Sequence, residues 1–546
     1  MGSLRIMAAI DAIHDISHSK AFFLLGLCAV VIFVVRWYKA SLKGTLPPGP
    51  RGFPIVGNTF QLGRLPWFQL TRWARQYGPI YSLNLGGQIL IVLNNHKVAS
   101  DLLDKRSAIY ADRPRMIMTG ELLCGGFFFA FNSCNDLWRR LRKAAFEGLN
   151  FRSSEVFQPV QEREAIRLAE ALVKNPSAWM DHINRVTASG VLSVCYSLPP
   201  VASAEDPVIT LINNFMHRIE AGSRPGEYLV ELFPWMLRLP KWMAKWHRDA
   251  DEAHARDTEM FMKFHLDAKR RAALGQCGPC MSGILMERNE VSDKEAAWLA
   301  GTLFGAGSTT TAAAQHVFIL AMVLYPAAMR KAQAEIDAVV GRSRLPNFSD
   351  RNKLPYVQAI IREVFRWRNI GLPHYSTEDD WYEGYYIPKG SMIFFNQWAM
   401  NTDTEVYGDD FNTFRPERFL DETGKKENVP PNTHGEGHTG FGYGRRKCVG
   451  VNLAKSTMFI NIATTLWAFD IGRGKDSNGN VFTPDPDAFE DRGLVVGPDP
   501  FPVTFTPRYP DVVPEILAHA QQVVRPVQVQ HTPIAPKDMP VDAEAY

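Results

Sequence analysis

A mainly α-helical catalytic body carrying a small β-sheet subdomain is the fold class this sequence predicts, and three observations carry it. Two apolar runs, Gly78–Leu83 and Gln88–Leu93, flank Gly86-Gly87 and read as a β-hairpin. Helix signals follow it: Ser292-Asp293-Lys294-Glu295 forms a capping box opening an apolar stretch that runs through Ala296 to Tyr325 and stops before Pro326, and a second helix-forming run covers Val451–Leu466. No repeat or long low-complexity linker divides the 546 residues, so one catalytic unit is expected.

Taken in order, the chain opens with a short segment, 1–20, and then an unbroken apolar run from Ala21 to Val35 followed by Arg36, Trp37 and Tyr38. As a helix, 21–38 would span roughly 27 Å, enough for one crossing of the endoplasmic reticulum bilayer. Arg36-Trp37-Tyr38-Lys39 is a poor cleavage site, so a transmembrane anchor is expected rather than a removed signal peptide. Arg36, Lys39 and Lys43 place the following residues in the cytosol and 1–20 in the lumen. Residues 39–50 form a basic, proline-rich linker ending in Leu46-Pro47-Pro48-Gly49-Pro50, 51–508 the catalytic body, and 509–546 a tail of prolines, glutamines and valines expected to be disordered. Lys and Arg total 60 against 57 Asp and Glu, a balance that argues against nucleic acid as a partner. Seven scattered cysteines are an odd set, unlike a disulfide framework, and fit reduced thiols facing the cytosol.

Within the body, Trp138-Arg139-Arg140-Leu141-Arg142-Lys143 reads as helix, with Trp138 and Arg142 on one face. The stretch from Leu198 to Met281 is rich in tryptophan and basic residues and singles out no site residue. Cys277-Gly278-Pro279-Cys280 has the redox tetrapeptide's spelling, but a helix rather than a strand precedes it, so a surface loop is expected. Gly305-Ala306-Gly307-Ser308-Thr309-Thr310-Thr311 is an odd choice for the middle of a helix, tolerated where something must lie close to the backbone. Glu363 and Arg366 set opposite charges on one helix face. His434 and His438 lie in a polar meander, which favours solvent exposure over a zinc site shared with Cys448. Gly493–Pro498 and Val503–Phe505 read as a last hairpin.

The densest stretch is Phe441-Gly442-Tyr443-Gly444-Arg445-Arg446-Lys447-Cys448-Val449-Gly450, one thiol among three cations just ahead of a helix. Cys448 is a candidate haem ligand, because thiolate is the electron-rich axial donor suited to oxygen activation on haem iron. The neighbouring cations and helix N-terminus are expected to keep it ionised. Gly444 and Gly450 are expected to let the backbone approach a flat macrocycle, and Phe441 to shield the sulfur.

This Phe-x-x-Gly-x-Arg-x-Cys-x-Gly pattern resembles the proximal loop of the cytochrome P450 haem-thiolate monooxygenases, and the resemblance spans about Leu46 to Arg508, in particular to fungal microsomal members of secondary metabolism. It implies the cytochrome P450 fold and haem b, with Cys448 on the iron, Phe441, Gly444, Arg446 and Gly450 around it, and Trp138, Arg142 and His374 meeting the propionates. It implies that Thr310 orients protons toward bound oxygen, with Thr311 after it. Thr309 departs from the family's usual acid, and water held by Thr309 and Thr311 is expected to replace that acid. Glu363, Arg366 and Arg418 would form a buried supporting network. The implied reaction inserts one oxygen atom from O2 into a hydrophobic small molecule, in secondary metabolite such as terpenoid biosynthesis. Its electrons would come from an NADPH-dependent cytochrome reductase that meets Arg139, Arg140, Lys143, Arg445 and Lys447. A haem-thiolate isomerase or dehydratase acting on a hydroperoxide, and a non-catalytic haem sensor or carrier, are the alternatives.

Overall fold

The computed structural model describes residues 44–524, apart from positions 64, 202, 204, 205, 225, 369, 370, 432, 434 and 492. The expected lumenal segment 1–20, the membrane anchor 21–38 and the first part of the linker 39–50 lie outside the described residues.

Helix α1 (Pro66–Tyr77) leads into β1 (Ile80–Leu85) and β2 (Gln88–Leu93). The turn between them has Gly86 at φ 62° and Gly87 at φ 100°, and positive φ at both central residues matches a tight hairpin turn to the twist of its strands. The ladder runs from Ile80 opposite Leu93 to Leu85 opposite Gln88. That register sends Tyr81, Leu83, Leu90 and Val92 against Leu70 and Trp73 of α1, and Ile80, Ile91 and Leu93 to the other face. Strands β3 (His374–Tyr375) and β4 (Met392–Phe395) widen the sheet in the order β1-β2-β4-β3, with β4 parallel to β2.

The helical body comprises α2 (Asp136–Leu149), α3 (Gln158–Lys174), α4 (Trp179–Tyr196), α5 (Pro207–Ser223), α6 (Lys245–Ala273), α7 (Met281–Arg288), α8 (Asp293–Leu324), α9 (Pro326–Val339), α10 (Pro355–Trp367) and α11 (Val451–Ala468). Helix α8 organises them, packing on α4, α6 and α11. Ser292 Oγ accepts the Glu295 N–H at 3.3 Å, and the Glu295 carboxylate accepts the Ser292 N–H at 2.8 Å, so two otherwise orphaned donors are satisfied at its start. Among the described residues α8 is the one helix long and apolar enough to cross a membrane, yet 67% of that apolar window is buried in protein. A helix apolar on all sides and enclosed by other helices is a core helix. Helices α3, α4, α8, α10 and α11 share one apolar core that includes Leu172, Ile183, Val317, Ile360 and Leu466.

Two expectations fail toward the C-terminus. The runs Gly493–Pro498 and Val503–Phe505 do not pair with each other: β5 (Phe469–Arg473) takes β8 (Val503–Pro507), and β6 (Phe489–Asp491) takes β7 (Val496–Pro498), all antiparallel. Asp499-Pro500-Phe501-Pro502 between them is stiffened by two prolines and carries the chain from one sheet to the other. The tail expected to be disordered from 509 instead begins with helix α12 (Val512–Val524), which packs on α3. Val512, Ile516 and Ala520 are four residues apart and buried, the stripe of an amphipathic helix.

Candidate active site

A cavity of about 380 Å³ opens between the middle of α8 and the loop that precedes α11. Phe441, Gly442, Cys448 and Gly450 line one side of it, and Ala306, Gly307, Thr310 and Thr311 the other.

The loop is folded by its own backbone. Cys448 N–H donates to the Phe441 carbonyl at 2.8 Å and Gly442 N–H to Thr439 at 3.0 Å, and a single 3-10 turn covers Gly444–Arg446. Gly444, at φ 52°, is not a cavity residue as expected: a Cβ there would sit 2.1 Å from the Leu103 carbonyl oxygen, so glycine is required by the neighbouring chain rather than by a macrocycle. Gly442, also at positive φ, takes the cavity-facing place instead. Phe441 packs against Phe365 with ring centroids 4.7 Å apart. His438, expected in solvent, is buried against Phe365 and accepts the Gly440 N–H on Nδ1 at 3.0 Å, whereas His434 lies outside the described residues.

Cys448 is exposed, but to the cavity and not to bulk water. Burial pushes its thiol up, and the Gly450 N–H with the charges of Arg142 and Lys447 only partly oppose that. Desolvation of a thiolate at this depth opposes the expected effect of the cations and the helix start. Metal coordination is the stronger ionising influence.

Beside the sulfur, three guanidinium groups converge on the cavity wall, Arg113 buried and Arg142 and Arg446 half-buried. Arg446 donates to the carbonyls of Ala111 at 2.6 Å and Phe129 at 3.0 Å, and to that of Asn132. Arg113 donates to Ala130 at 3.1 Å, Leu372 at 3.2 Å and Pro373 at 2.5 Å, and Arg142 to Lys447 at 2.5 Å. These carbonyl acceptors are neutral, and among the described residues no carboxylate forms an ion pair with the three, although the charge of Asp112 acts on Arg113 and Arg446; burial and the mutual repulsion with Arg446 draw Arg113 down to about 9. Trp138 lies under the Arg446 guanidinium at 4.4 Å, and its Nε1 is buried without a protein acceptor. Cations drawn out of water without ion-pair partners are costly, so this wall suits a negatively charged occupant. Two propionates beside an iron that takes a thiolate satisfy both the cations and Cys448, and the donor set thus fits haem.

His374 is buried on the same wall, with Nδ1 2.9 Å from the Tyr110 carbonyl. A carbonyl only accepts, so Nδ1 carries the proton and Nε2 of the neutral ring is an acceptor. Burial, then Arg113, hold the imidazole well below its usual range. Contact with a propionate through Nε2 requires protonation, which an anion between Arg113 and Arg446 favours. Arg113 was missed by sequence reasoning, since nothing in Ala111-Asp112-Arg113-Pro114 separates it from a loop arginine.

Across the cavity, Thr310 Oγ1 donates to the Ala306 carbonyl at 2.6 Å and Thr309 Oγ1 to Gly305 at 3.1 Å. Thr310 and Thr311 line the cavity and Thr309 does not. Successive helical residues point about 100° apart, so a water shared by Thr309 and Thr311 has no common wall to rest on, and that expectation is corrected. Gly305 faces elsewhere too: a Cβ there would lie 2.3 Å from Met216 Sδ of α5, so helix packing takes the space.

Behind the loop, Arg366 and Glu363 of α10, both fully buried, pair through two contacts at 2.6 and 2.7 Å. Arg418 Nε stands 3.6 Å from Glu363, and the Arg415 N–H donates to Glu363 at 2.9 Å. On the outer surface Arg139, Arg140 and Lys143 pair with Asp136, Glu295 and Glu290, and Lys447 lies 4.0 Å from Glu436. Arg445 is exposed with no ion pair among the described residues.

The cytochrome P450 family model matches residues 47–505. The chain is 48% identical to cytochrome P450 monooxygenase 58 of Postia placenta over 495 residues, covering 90% of this chain and 94% of that protein. It is 45% identical to a cytochrome P450 monooxygenase of Armillaria gallica, covering 90% and 96%, and 33% identical to cytochrome P450 monooxygenase iboC of Amanita muscaria, covering 93% and 99%.

Proposed function

Because this chain belongs to the cytochrome P450 family of monooxygenases, we propose that it binds haem b and inserts one oxygen atom from O2 into a hydrophobic small molecule, as a tailoring step in fungal secondary metabolism such as terpenoid biosynthesis. An NADPH-dependent cytochrome reductase supplies the electrons, and residues 21–38 hold the enzyme in the endoplasmic reticulum membrane with its body in the cytosol. The observation that carries this reading is a thiol, Cys448, opening into the same cavity as the Thr310 hydroxyl, beside three arginines, Arg113 buried and Arg142 and Arg446 half-buried, that form no ion pair among the described residues. Cys448 takes the iron, and Arg113, Arg142, Arg446, Trp138 and His374 hold the propionates. When bound, the haem supplies oxygen activation and electron storage.

The chain's own groups set the conditions. Phe441 and Phe365 keep water from the sulfur's side. Thr310 donates its hydroxyl hydrogen bond to the Ala306 carbonyl, which leaves both Oγ1 lone pairs free to accept from a protonated group in the cavity. Its hydroxyl can also swing its donation into the cavity, so Thr310 both receives and delivers a proton at Oγ1. Leu372, Leu494, Val495 and Val496 make the neighbouring wall apolar, which suits a hydrophobic substrate.

The test is incubation of the purified protein with NADPH, a reductase and apolar substrates under isotopically labelled O2, followed by mass spectrometry. A product carrying one labelled oxygen is expected. Turnover of a hydroperoxide without reductase or NADPH overturns the reading in favour of an isomerase or dehydratase, and haem binding without product from either overturns it in favour of a sensor or carrier.

A further inference from the structure

Cys277-Gly278-Pro279-Cys280 joins α6 to α7. The expected surface loop is present, with Gly278 and Pro279 exposed, but its two sulfurs are not independent. Cys277 Sγ lies 3.6 Å from Cys280 Sγ. Cys280 is buried and caps α7, its sulfur accepting the Gly283 N–H at 3.4 Å. Cys277 is half-buried on the exposed side. Its loop is tied to the end of α4, where Gly278 N–H donates to Ser197 Oγ at 3.1 Å. The buried Arg271 of α6 fixes that ledge by donating to the Tyr196 carbonyl at 2.9 Å and the Ser197 carbonyl at 3.0 Å.

We infer that Cys277 and Cys280 form a reversible dithiol–disulfide site, in which Cys277 attacks hydrogen peroxide and Cys280 resolves the product. The roles follow from access and environment. A small oxidant reaches Cys277 past Gly278, whereas Cys280 is covered and held by a helix. The contact with Cys280, the Ser197 hydroxyl and the Arg271 charge draw the Cys277 thiol down to about 6 against the opposing effect of burial, while the same contact and burial push Cys280 up. In the first step the Cys277 thiolate takes one peroxide oxygen, the O–O bond breaks, and hydroxide leaves as water after gaining a proton. Cys277 is then a sulfenic acid, oxidised by two electrons. In the second, the Cys280 sulfur attacks Cys277, the S–O bond breaks, and the Cys280 proton leaves with the hydroxyl as a second water. Two thiols and one peroxide give one disulfide and two waters. The sulfurs must close from 3.6 Å to about 2.0 Å, a movement the exposed Gly278-Pro279 segment supplies while Cys280 stays in place. This assignment is independent of the haem reading.

The test uses the full-length holoenzyme, treated with hydrogen peroxide, quenched by alkylation and digested for mass spectrometry. The peptide holding both cysteines should lose the mass of two hydrogens, and dithiothreitol should restore it. Cys280→Ser should stop at a sulfenic acid on Cys277 that dimedone traps, and Cys277→Ser should give neither product. Without oxidant, iodoacetamide labelling of Cys277 should show a midpoint near pH 6, rising toward the ordinary thiol value of about 8.5 in Cys280→Ala. A pair that stays reduced while Cys134 or Cys448 is oxidised overturns the inference, and so does a labelling midpoint that Cys280→Ala leaves in place.

Discussion

The two ends of the cavity are both polar and both incomplete, in opposite senses. At one end Arg113, Arg142 and Arg446 donate to backbone carbonyls and, from Arg446, to the Cys134 sulfur, with no ion pair among the described residues, and the Trp138 Nε1 donor has no protein acceptor. At the other, where α3, α4 and α11 meet, the surplus is of acceptors: Gln161 Oε1, Glu164 Oε2 and Asn461 Oδ1 are buried without a protein donor. Their partner groups are well used, with Gln161 Nε2 on Thr457 at 2.8 Å and Asn461 Nδ2 on Gln315 at 2.8 Å. A surplus of full positive charge can be met only by an anion, since water would leave the charge uncompensated. A surplus of acceptors can be met by any hydroxyl or water. The first end therefore selects its occupant by charge and the second tolerates several.

Five variants break or sharpen that contrast. The largest effect belongs to the ligand between the two ends: Cys448→Ala should abolish the ferrous-CO absorption of thiolate-ligated haem, and an unchanged spectrum sinks the assignment. At the cationic end, Arg113→Leu should weaken haem retention by roughly 10- to 100-fold, since a hydrogen bond to a charged group contributes about 1.5–3 kcal/mol. Haem transfer to an acceptor globin measures this, and a rate within twofold of wild type would show that Arg113 meets no propionate. Facing the sulfur, Thr310→Ala should keep haem and substrate binding while product per NADPH falls and hydrogen peroxide rises; Thr309→Asp should alter that ratio far less, because Thr309 lies off the cavity wall. Full coupling in Thr310→Ala contradicts its role.

The smallest effect lies at the acceptor end. Burial raises the Glu164 carboxyl above its ordinary 4.5, against the opposing charges of Arg167 and Arg163. A carboxyl raised on folding stabilises the protein below its unfolded value and loses that contribution as pH climbs through the folded one. Glu164→Gln should therefore narrow the excess of Tm at pH 5 over pH 7 and leave haem retention unchanged. A widened excess would mean that Glu164 is held ionised.

Legibility in the sequence followed how local each constraint is. The hairpin turn at Gly86-Gly87, the capping box at Ser292 and the cysteine loop are written in consecutive residues, and each stands within a residue or two of where the spacing put it. Arg113 becomes special only when two other arginines from distant segments are folded around it. The spacing of the glycines in the loop was visible but not which one meets the cavity, because Gly444 answers to Leu103, more than 300 residues earlier in the chain. For α12 the signal was present, in the four-residue spacing of Val512, Ile516 and Ala520, but the proline- and glutamine-rich residues after it dominated the reading. His438 was misjudged for a related reason: polar neighbours in sequence conceal an apolar neighbour in space, Phe365.

The three arginines also bear on how this chain reaches its folded state. Arg446 repels both Arg113 and Arg142, an electrostatic cost that an anionic cofactor on this wall would remove, and each molecule of haem captured would then shift the folding equilibrium by mass action. Folded yield thereby becomes a function of haem supply. In a cell short of haem, the chain dwells longer in states open to proteases, and the abundance of the enzyme tracks the cofactor before any regulation of its gene is considered.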